Sequence, residues 1–252
     1  MNGEVAEAIA LVAHGNAFLA GLTRPVELTD GNSAFRWVGA ARFGESTTTR
    51  AWFEALRDAG ARRLELVLPG AKRLFAGFSN AVPAAIRVEP RGELWTARWE
   101  LIDPRPADGR IWSVVHERRE APPETSAPPT LPGATAELRA VLAEVETVAR
   151  RDDFLAGFAG AFRTAAAQLD DRKPTPPYPD LLPDGGYTIE ARRLLAASGH
   201  AWVFGGMGSW NDVTFGDKAV QADYERVSEL LWRAILDGLR AAVNAFDGDR
   251  VD

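Results

Sequence analysis

The sequence has no cysteine, two methionines and three histidines, and only three of its 29 basic residues are lysines. The excess of arginine over lysine and the frequent alanine are typical of a GC-rich, bacterial genome. A chain without cysteine forms neither disulfides nor thiolate metal sites, which favours a reducing compartment. His14, His116 and His200 do not follow the spacing of metal-ligand pairs. The sequence therefore predicts no metal site and no cofactor.

Long apolar runs and a basic stripe are also missing. No segment approaches the roughly 18 consecutive apolar residues of a spanning helix, and the first residues lack the basic flank and long apolar core of a signal peptide. The formal net charge is −6 and the isoelectric point is near 5.3, which argues against a nucleic-acid binder. We therefore expect a soluble, cytoplasmic protein with neither a membrane nor a nucleic-acid partner.

The remaining composition is that of a folded globular protein, with 46% apolar and 25% charged residues. The charge is distributed unevenly. The first 120 residues carry 16 basic and 15 acidic side chains, whereas the rest carry 13 and 20. We interpret the acidic second half as a solvated helical surface, and the alternative is a docking face for a basic partner.

The first 120 residues mix helical and strand patterns. In the clearest strand, Trp95, Ala97, Trp99 and Leu101 share one face at a period of two residues. Apolar spacing predicts helices over residues 4–20 and 48–59 and strands over 34–43, 63–68, 93–102 and 110–119. This order predicts an α+β fold with a Trp-rich, mixed or mostly antiparallel sheet and flanking helices.

A proline-rich stretch separates this part from a helical second half. Five prolines occur within residues 121–133, which excludes a helix interior or a central strand there. We therefore predict an α+β sheet lobe over residues 1–120, a linker over 121–133 and a helical lobe over 134–252. The helical lobe has a predicted break near residues 150–153 and a long last helix over about 220–246.

A glycine-rich loop is the most unusual segment of the helical lobe. It follows His200 and contains Gly206, Met207, Gly208, Ser209, Trp210, Asn211 and Asp212. It does not match the dinucleotide fingerprint, the P-loop or the nucleophile elbow. We favour a structural turn in which Trp210 is buried and Asn211 or Asp212 binds backbone N–H groups.

The alternative is a ligand-binding or catalytic loop. In that case, backbone N–H groups of Gly206, Met207 and Gly208 hold an anionic or carbonyl oxygen beside Ser209 and Asn211. Asp212 or His200 acts as a base and Trp210 forms an apolar wall.

Four tryptophans fall on predicted strands, namely Trp37, Trp95, Trp99 and Trp112. We favour a core position for them under the first two helices, and the alternative is a row that stacks on a sugar or a flat ligand. His116 lies among charged residues on a predicted strand and is expected to face solvent. His14 is expected at the margin of the apolar stripe of the first helix.

No complete catalytic motif is present, so whether the chain is an enzyme stays open. The leading hypothesis is an accessory or binding protein that acts through contacts with a protein partner. A homodimer through the C-terminal helix is included, because Leu230, Leu236, Leu239 and Val243 widen the apolar arc of that helix. The alternative is an enzyme or small-ligand receptor with its site at the loop of residues 200–212.

Overall fold

A computed structural model describes residues 1–29, 31–70, 72–120 and 128–249. Over these residues the chain forms helices and five strands in one sheet. The helices are α1 (Gly3–Leu19), α2 (Thr49–Asp58), α3 (Leu131–Ala149), α4 (Asp153–Ala156), α5 (Ala159–Gln168), α6 (Ile189–His200) and α7 (Lys218–Asn244). The strands are β1 (Val38–Phe43), β2 (Arg63–Val67), β3 (Ala85–Glu89), β4 (Glu93–Leu101) and β5 (Trp112–Glu120).

The predicted α+β class is confirmed. The strand order is β1-β5-β4-β3-β2, in which only β1 and β5 are parallel and the other three neighbouring pairs are antiparallel. The strand predicted from residue 34 begins later, at Val38. Asn32 instead accepts a hydrogen bond from the N–H of Ala34 and starts a short 3₁₀ turn, Ser33–Phe35.

The predicted linker is only partly within the structure, because residues 121–127 lie outside the described ranges. Its C-terminal end was placed too late, since α3 begins at Leu131. Thr130 accepts a hydrogen bond from the N–H of Gly133, and Pro132 occupies the first turn, where a missing N–H costs nothing.

Buried side chains from both predicted lobes belong to one hydrophobic cluster. α7 packs on α3 and α6 and also touches β2 and α1. Independent folding of residues 1–120 and 134–252 stays a prediction.

Helix α1 lies at the centre of this core. Nearly all of its side chains between Val5 and Phe18 are buried, and small residues alternate with large ones along it. At Gly15, an added Cβ would overlap the side chains of Leu64 and Phe53, so a larger residue there would require these side chains to shift. A helix that is apolar all round is typical of such a central position.

Two asparagines cover the free edge of strand β2. The carboxamide of Asn16 accepts from the N–H of Leu64 at 2.7 Å and donates to its carbonyl at 2.9 Å. Asn244, at the end of α7, makes the same pair of bonds with Leu66, at 2.7 and 3.0 Å. These side chains replace the missing neighbouring strand, so the edge carries no unpaired backbone groups at these two residues.

Replacing Asn16 with Leu removes both bonds and leaves the N–H and carbonyl of Leu64 buried without a partner. We expect the variant to lose about 2–4 kcal/mol of unfolding free energy. Urea unfolding monitored by circular dichroism measures the loss. Arg50→Leu, on the exposed face of α2, is the control and is expected to change stability by less than about 0.5 kcal/mol. Equal stability of the two variants would show that the carboxamide pairing contributes nothing.

Candidate functional site

A pocket lined by aromatic rings opens at the N-terminal end of α1, and we call it the aromatic pocket. Its volume is about 230 Å³, and the side chains that matter for its chemistry are Glu4, Trp37, Phe78, Trp99, Trp112 and Tyr178. Trp99 and Trp112 stand on the neighbouring strands β4 and β5 and meet edge to face, with ring centroids 6.0 Å apart. The pocket therefore combines a sheet floor with walls from α1 and three loops.

The rim of the aromatic pocket is exposed. Trp37 is 48% exposed and Phe78 is 65% exposed, whereas Trp99 is buried. The guanidinium of Arg36 lies 4.9 Å from the ring centre of Trp37 and 5.7 Å from that of Tyr178. Two rings of the rim are thus already spaced to share one cation.

Glu4 is the only residue with a charged side chain among the described residues that line the pocket. The pKa of its carboxyl is raised from the usual 4.5 to about 7, mainly because the group is buried and to a smaller extent because the carboxyl of Glu7 is nearby. A hydrogen bond from the backbone N–H of Asn80, at 2.5 Å, acts in the opposite direction. This bond holds one oxygen of Glu4, and the other oxygen has no hydrogen-bond partner among the described residues.

Asn80 connects Glu4 with the floor of the pocket. Its side chain accepts from the N–H of Trp99 at 2.8 Å and donates to the carbonyl of Trp99 at 2.9 Å. Its backbone adopts a left-handed conformation with φ of 61°, which aims its N–H at Glu4. Non-glycine residues rarely adopt this conformation, and asparagine tolerates it best. Asn80 therefore fixes the carboxylate relative to the indole of Trp99.

A buried acid–histidine pair lies one helical turn behind Glu4. Oε1 of Glu7 is 2.8 Å from Nε2 of His116, and both side chains are almost fully buried. The prediction that His116 faces solvent is therefore wrong. Alternation along β5 turns Val114 and His116 toward the helices, and the His116 ring stacks on Phe43 at 4.5 Å.

Several buried polar atoms of this region have no hydrogen-bond partner within the described residues. They are Oε2 of Glu7, Nδ1 of His116 and the indole nitrogens of Trp52, Trp95 and Trp99. Native proteins leave few such atoms unpaired. The inner face of the sheet is therefore polar behind the aromatic pocket, although hydrophobic rings surround it.

The glycine-rich loop is anchored by Trp210, which is fully buried as expected. Its indole N–H donates to the hydroxyl of Ser228 on α7 at 2.7 Å. The ring meets Phe162 edge to face, with centroids 5.2 Å apart, and Tyr224 donates its hydroxyl to the Trp210 carbonyl. These contacts fasten the loop to the helical layer.

The polar side chains of the loop bond to backbone groups and not to one another's side chains. Asp212 accepts from the N–H of Gly208, which confirms the expected bond within the loop. Ser209 donates to the carbonyl of Gly205 at 3.1 Å. His200 is paired with the carbonyl of Thr175 at 2.8 Å, so it does not bond to Asp212 or Ser209. A ligand site at residues 200–212 stays a prediction.

The loop also supports one wall of the aromatic pocket. Asn211 donates to the carbonyl of Arg73 at 2.9 Å, and the Arg73 guanidinium donates back to its side chain at 3.2 Å. At Gly77, an added Cβ would overlap backbone atoms of Gly205 and Gly206. The pocket-lining segment 76–79 therefore lies directly against the loop. Met207 projects fully into solvent from the other side.

The aromatic pocket contains some of the residues that the sequence analysis singled out and others that it did not. Of the four tryptophans, Trp37, Trp99 and Trp112 line the pocket, whereas Trp95 packs against Trp52 in the core. Glu4, Asn80 and Tyr178 were not singled out from the sequence. His14 is half-buried at the margin of α1, and its Nε2 is 3.1 Å from the carbonyl of Asp180.

No helix among the described residues combines the length and the apolar content needed to cross a bilayer. In the same part of the chain, no three His, Asp or Glu side chains are grouped as metal ligands.

Trp210→Ala removes the loop's anchor from the core, and we expect a loss of about 3–5 kcal/mol of unfolding free energy. Asp212→Ala removes one hydrogen bond to a backbone N–H and is expected to cost about 1 kcal/mol. Met207→Ala, in the same loop, is the matched control and should leave the melting temperature unchanged. If Trp210→Ala melts like the Met207 variant, the buried indole is not the anchor.

Glu4 should make stability depend on pH. Its pKa is higher in the folded protein than in the unfolded chain, so its contribution is fully present below about pH 4.5 and is lost as the pH rises through 7. Glu4→Gln keeps an acceptor for Asn80 but does not ionise. We expect its melting temperature, relative to the natural protein, to rise between pH 4.5 and 8.

Glu54→Gln is the control for this titration, because Glu54 pairs with Arg50 on the surface of α2, away from the aromatic pocket. It should leave the pH profile unchanged. A constant difference between Glu4→Gln and the natural protein over the same range would contradict a raised pKa at Glu4.

Comparisons with known proteins found no relative of this chain. No protein-family model, no curated protein and no solved structure matches the chain.

Proposed function

We propose that the protein is a binding protein that holds a small organic cation in the aromatic pocket. The observation that carries the proposal is one carboxylate, that of Glu4, in a pocket whose other lining side chains are uncharged and include five aromatic rings. Aromatic faces attract cations through their quadrupole, and a carboxylate adds a full opposite charge. A volume of about 230 Å³ suits a ligand, or a head group, of modest size.

The arrangement of Glu4 supports a cation more than an anion. No cationic side chain pairs with it among the residues the structure describes, so one oxygen stays available to an incoming partner. An anionic ligand would be repelled by the ionised form of Glu4. Arg36 lies outside the lining, over Trp37 and Tyr178, where it competes with a cation for the same rings.

The other hypotheses from the sequence receive less support. The apolar residues of α7 that suggested a homodimer are used inside the chain, because Leu236, Leu239 and Val243 are buried and Leu230 packs against the core. The polar groups of the glycine-rich loop bond to the chain itself. Recognition of a protein partner, and a site at the loop, stay proposals without a contact that favours them.

Calorimetric titration with tetramethylammonium chloride tests the proposal, with sodium chloride as the reference salt. We expect saturable binding to the natural protein and to Glu54→Gln. Glu4→Gln should weaken the affinity by about tenfold or more, because the charge that complements the ligand is removed. Arg36→Gln should strengthen it, because a competing cation is removed.

The outcome that rejects the proposal is equally specific. If tetramethylammonium does not bind, or if it binds equally well to Glu4→Gln, the pocket is not a cation site. If acetate binds instead and Arg36→Gln weakens that binding, the pocket takes anions.

A further inference from the structure

We infer that the aromatic pocket selects fully N-methylated ammonium groups over primary ammonium groups. This inference rests on the proposed function and narrows it to one ligand class, the quaternary ammonium head group. It follows from two features of the pocket, namely the hydrogen-bond acceptors available to the N–H groups of a cation and the aromatic surface available to its methyl groups.

Among the side chains that line the pocket, four carry oxygen acceptors, namely those of Asn2, Glu4, Ser79 and Tyr178, and Glu4 is the one that carries a charge. The side-chain oxygen of Asn2 already accepts from the N–H of Val5 at 3.1 Å, and Oε1 of Glu4 accepts from Asn80 at 2.5 Å. The second oxygen of Glu4 and the hydroxyls of Ser79 and Tyr178 remain. A primary ammonium carries three N–H donors and loses water on all sides when it enters. A quaternary ammonium has no N–H group, so it needs no acceptors.

The walls of the pocket suit methyl groups. Trp37, Trp99, Trp112 and Tyr178 surround the space from different elements, so a tetrahedral group meets aromatic surface on several sides at once. The charge of a quaternary ammonium is spread over its methyl groups, which lets it interact with ring faces and with Glu4 together.

The exposed rim indicates that the ligand continues beyond its head group. Because Trp37 and Phe78 are both about half exposed or more, the fourth substituent of the nitrogen has an open route to solvent. Free choline and a trimethylated lysine side chain carry the same head group, and both are arms of the test.

The test is a calorimetric series on the natural protein with methylammonium, dimethylammonium, trimethylammonium and tetramethylammonium chloride. We expect the affinity to rise with each methyl group and to differ by about tenfold or more between the ends of the series. Choline is compared with 3,3-dimethylbutan-1-ol, its uncharged isostere, which should bind about tenfold more weakly or not at all. A short peptide containing trimethyllysine, measured beside choline, shows which source of the head group is preferred.

Substitutions in the pocket wall distinguish the contribution of the aromatic rings to binding from that of the Tyr178 hydroxyl. Tyr178→Phe keeps the ring, so tetramethylammonium binding should stay within about twofold. Trp37→Leu removes an exposed aromatic face and should weaken it, whereas Trp37→Phe should restore part of the affinity. Trp37 is half exposed, so these substitutions are expected to leave the fold intact, and the melting temperature checks this.

The outcomes keep the two claims apart. If methylammonium binds as tightly as tetramethylammonium, the selectivity for methylation is wrong while the cation site stands. If Tyr178→Phe abolishes binding, the hydroxyl and not the ring recognises the ligand, and the selectivity is again wrong. If no member of the series binds, or the uncharged isostere equals choline, the cation site itself is wrong.

Discussion

The arrangement of the fold depends on pairing strand backbone with side-chain carboxamides. Where β2 has no neighbouring strand, Asn16 and Asn244 bind both polar groups of Leu64 and Leu66. Where β4 extends past β3, Asn80 does the same for Trp99. Buried backbone groups without partners are costly, so these three pairs of hydrogen bonds determine where α1, α7 and the segment before β3 lie against the sheet. The position of Glu4 beside the indole of Trp99 is a consequence, because Asn80 holds both.

The helical half contributes to the aromatic pocket without lining most of it. Trp210 is locked between α5 and α7, and Asn211, its neighbour, binds both the carbonyl and the guanidinium of Arg73. Four residues further on, Gly77 lies against the glycine pair at the start of the loop. A rigid anchor in one half thus holds a pocket wall in the other. Three glycines in four positions cost conformational entropy, and the positive φ of Gly208 explains one of them.

Much of the fold could be predicted from local periodicity in the sequence. The site could not, because it depends on contacts between residues that are far apart in the sequence. The alternation along β4 predicts the strand and the apolar spacing of α1 predicts the helix, although α1 is buried on nearly all sides. His116 was misplaced because the charged residues that follow it suggest solvent, whereas its face is decided by the alternation with Val114 and its partner is Glu7, more than 100 residues away. An acidic residue such as Glu4 in a first helical turn is ordinarily explained by the helix dipole. The sequence around Asn80 gives no sign that its side chain forms the hydrogen bonds to Trp99 that a neighbouring strand would otherwise form.

The energetic position of Glu4 differs from that of the structural carboxamides and of Asp212. Asn16, Asn80 and Asn244 use their donors and acceptors within the chain, and so does Asp212 in the glycine-rich loop. Glu4 is half-buried beside another carboxyl, and one backbone N–H is the hydrogen bond that supports its charge. Desolvation makes its ionised form less favourable, and no cationic side chain pairs with Glu4 among the residues that the structure describes. For stability alone, an uncharged residue would be better at this position. Groups that weaken a fold are concentrated at functional sites, so the carboxylate of Glu4 points to a function. A ligand that combines a positive charge with an apolar surface would stabilise the ionised carboxylate of Glu4, and the aromatic rings that line the pocket would contact that apolar surface.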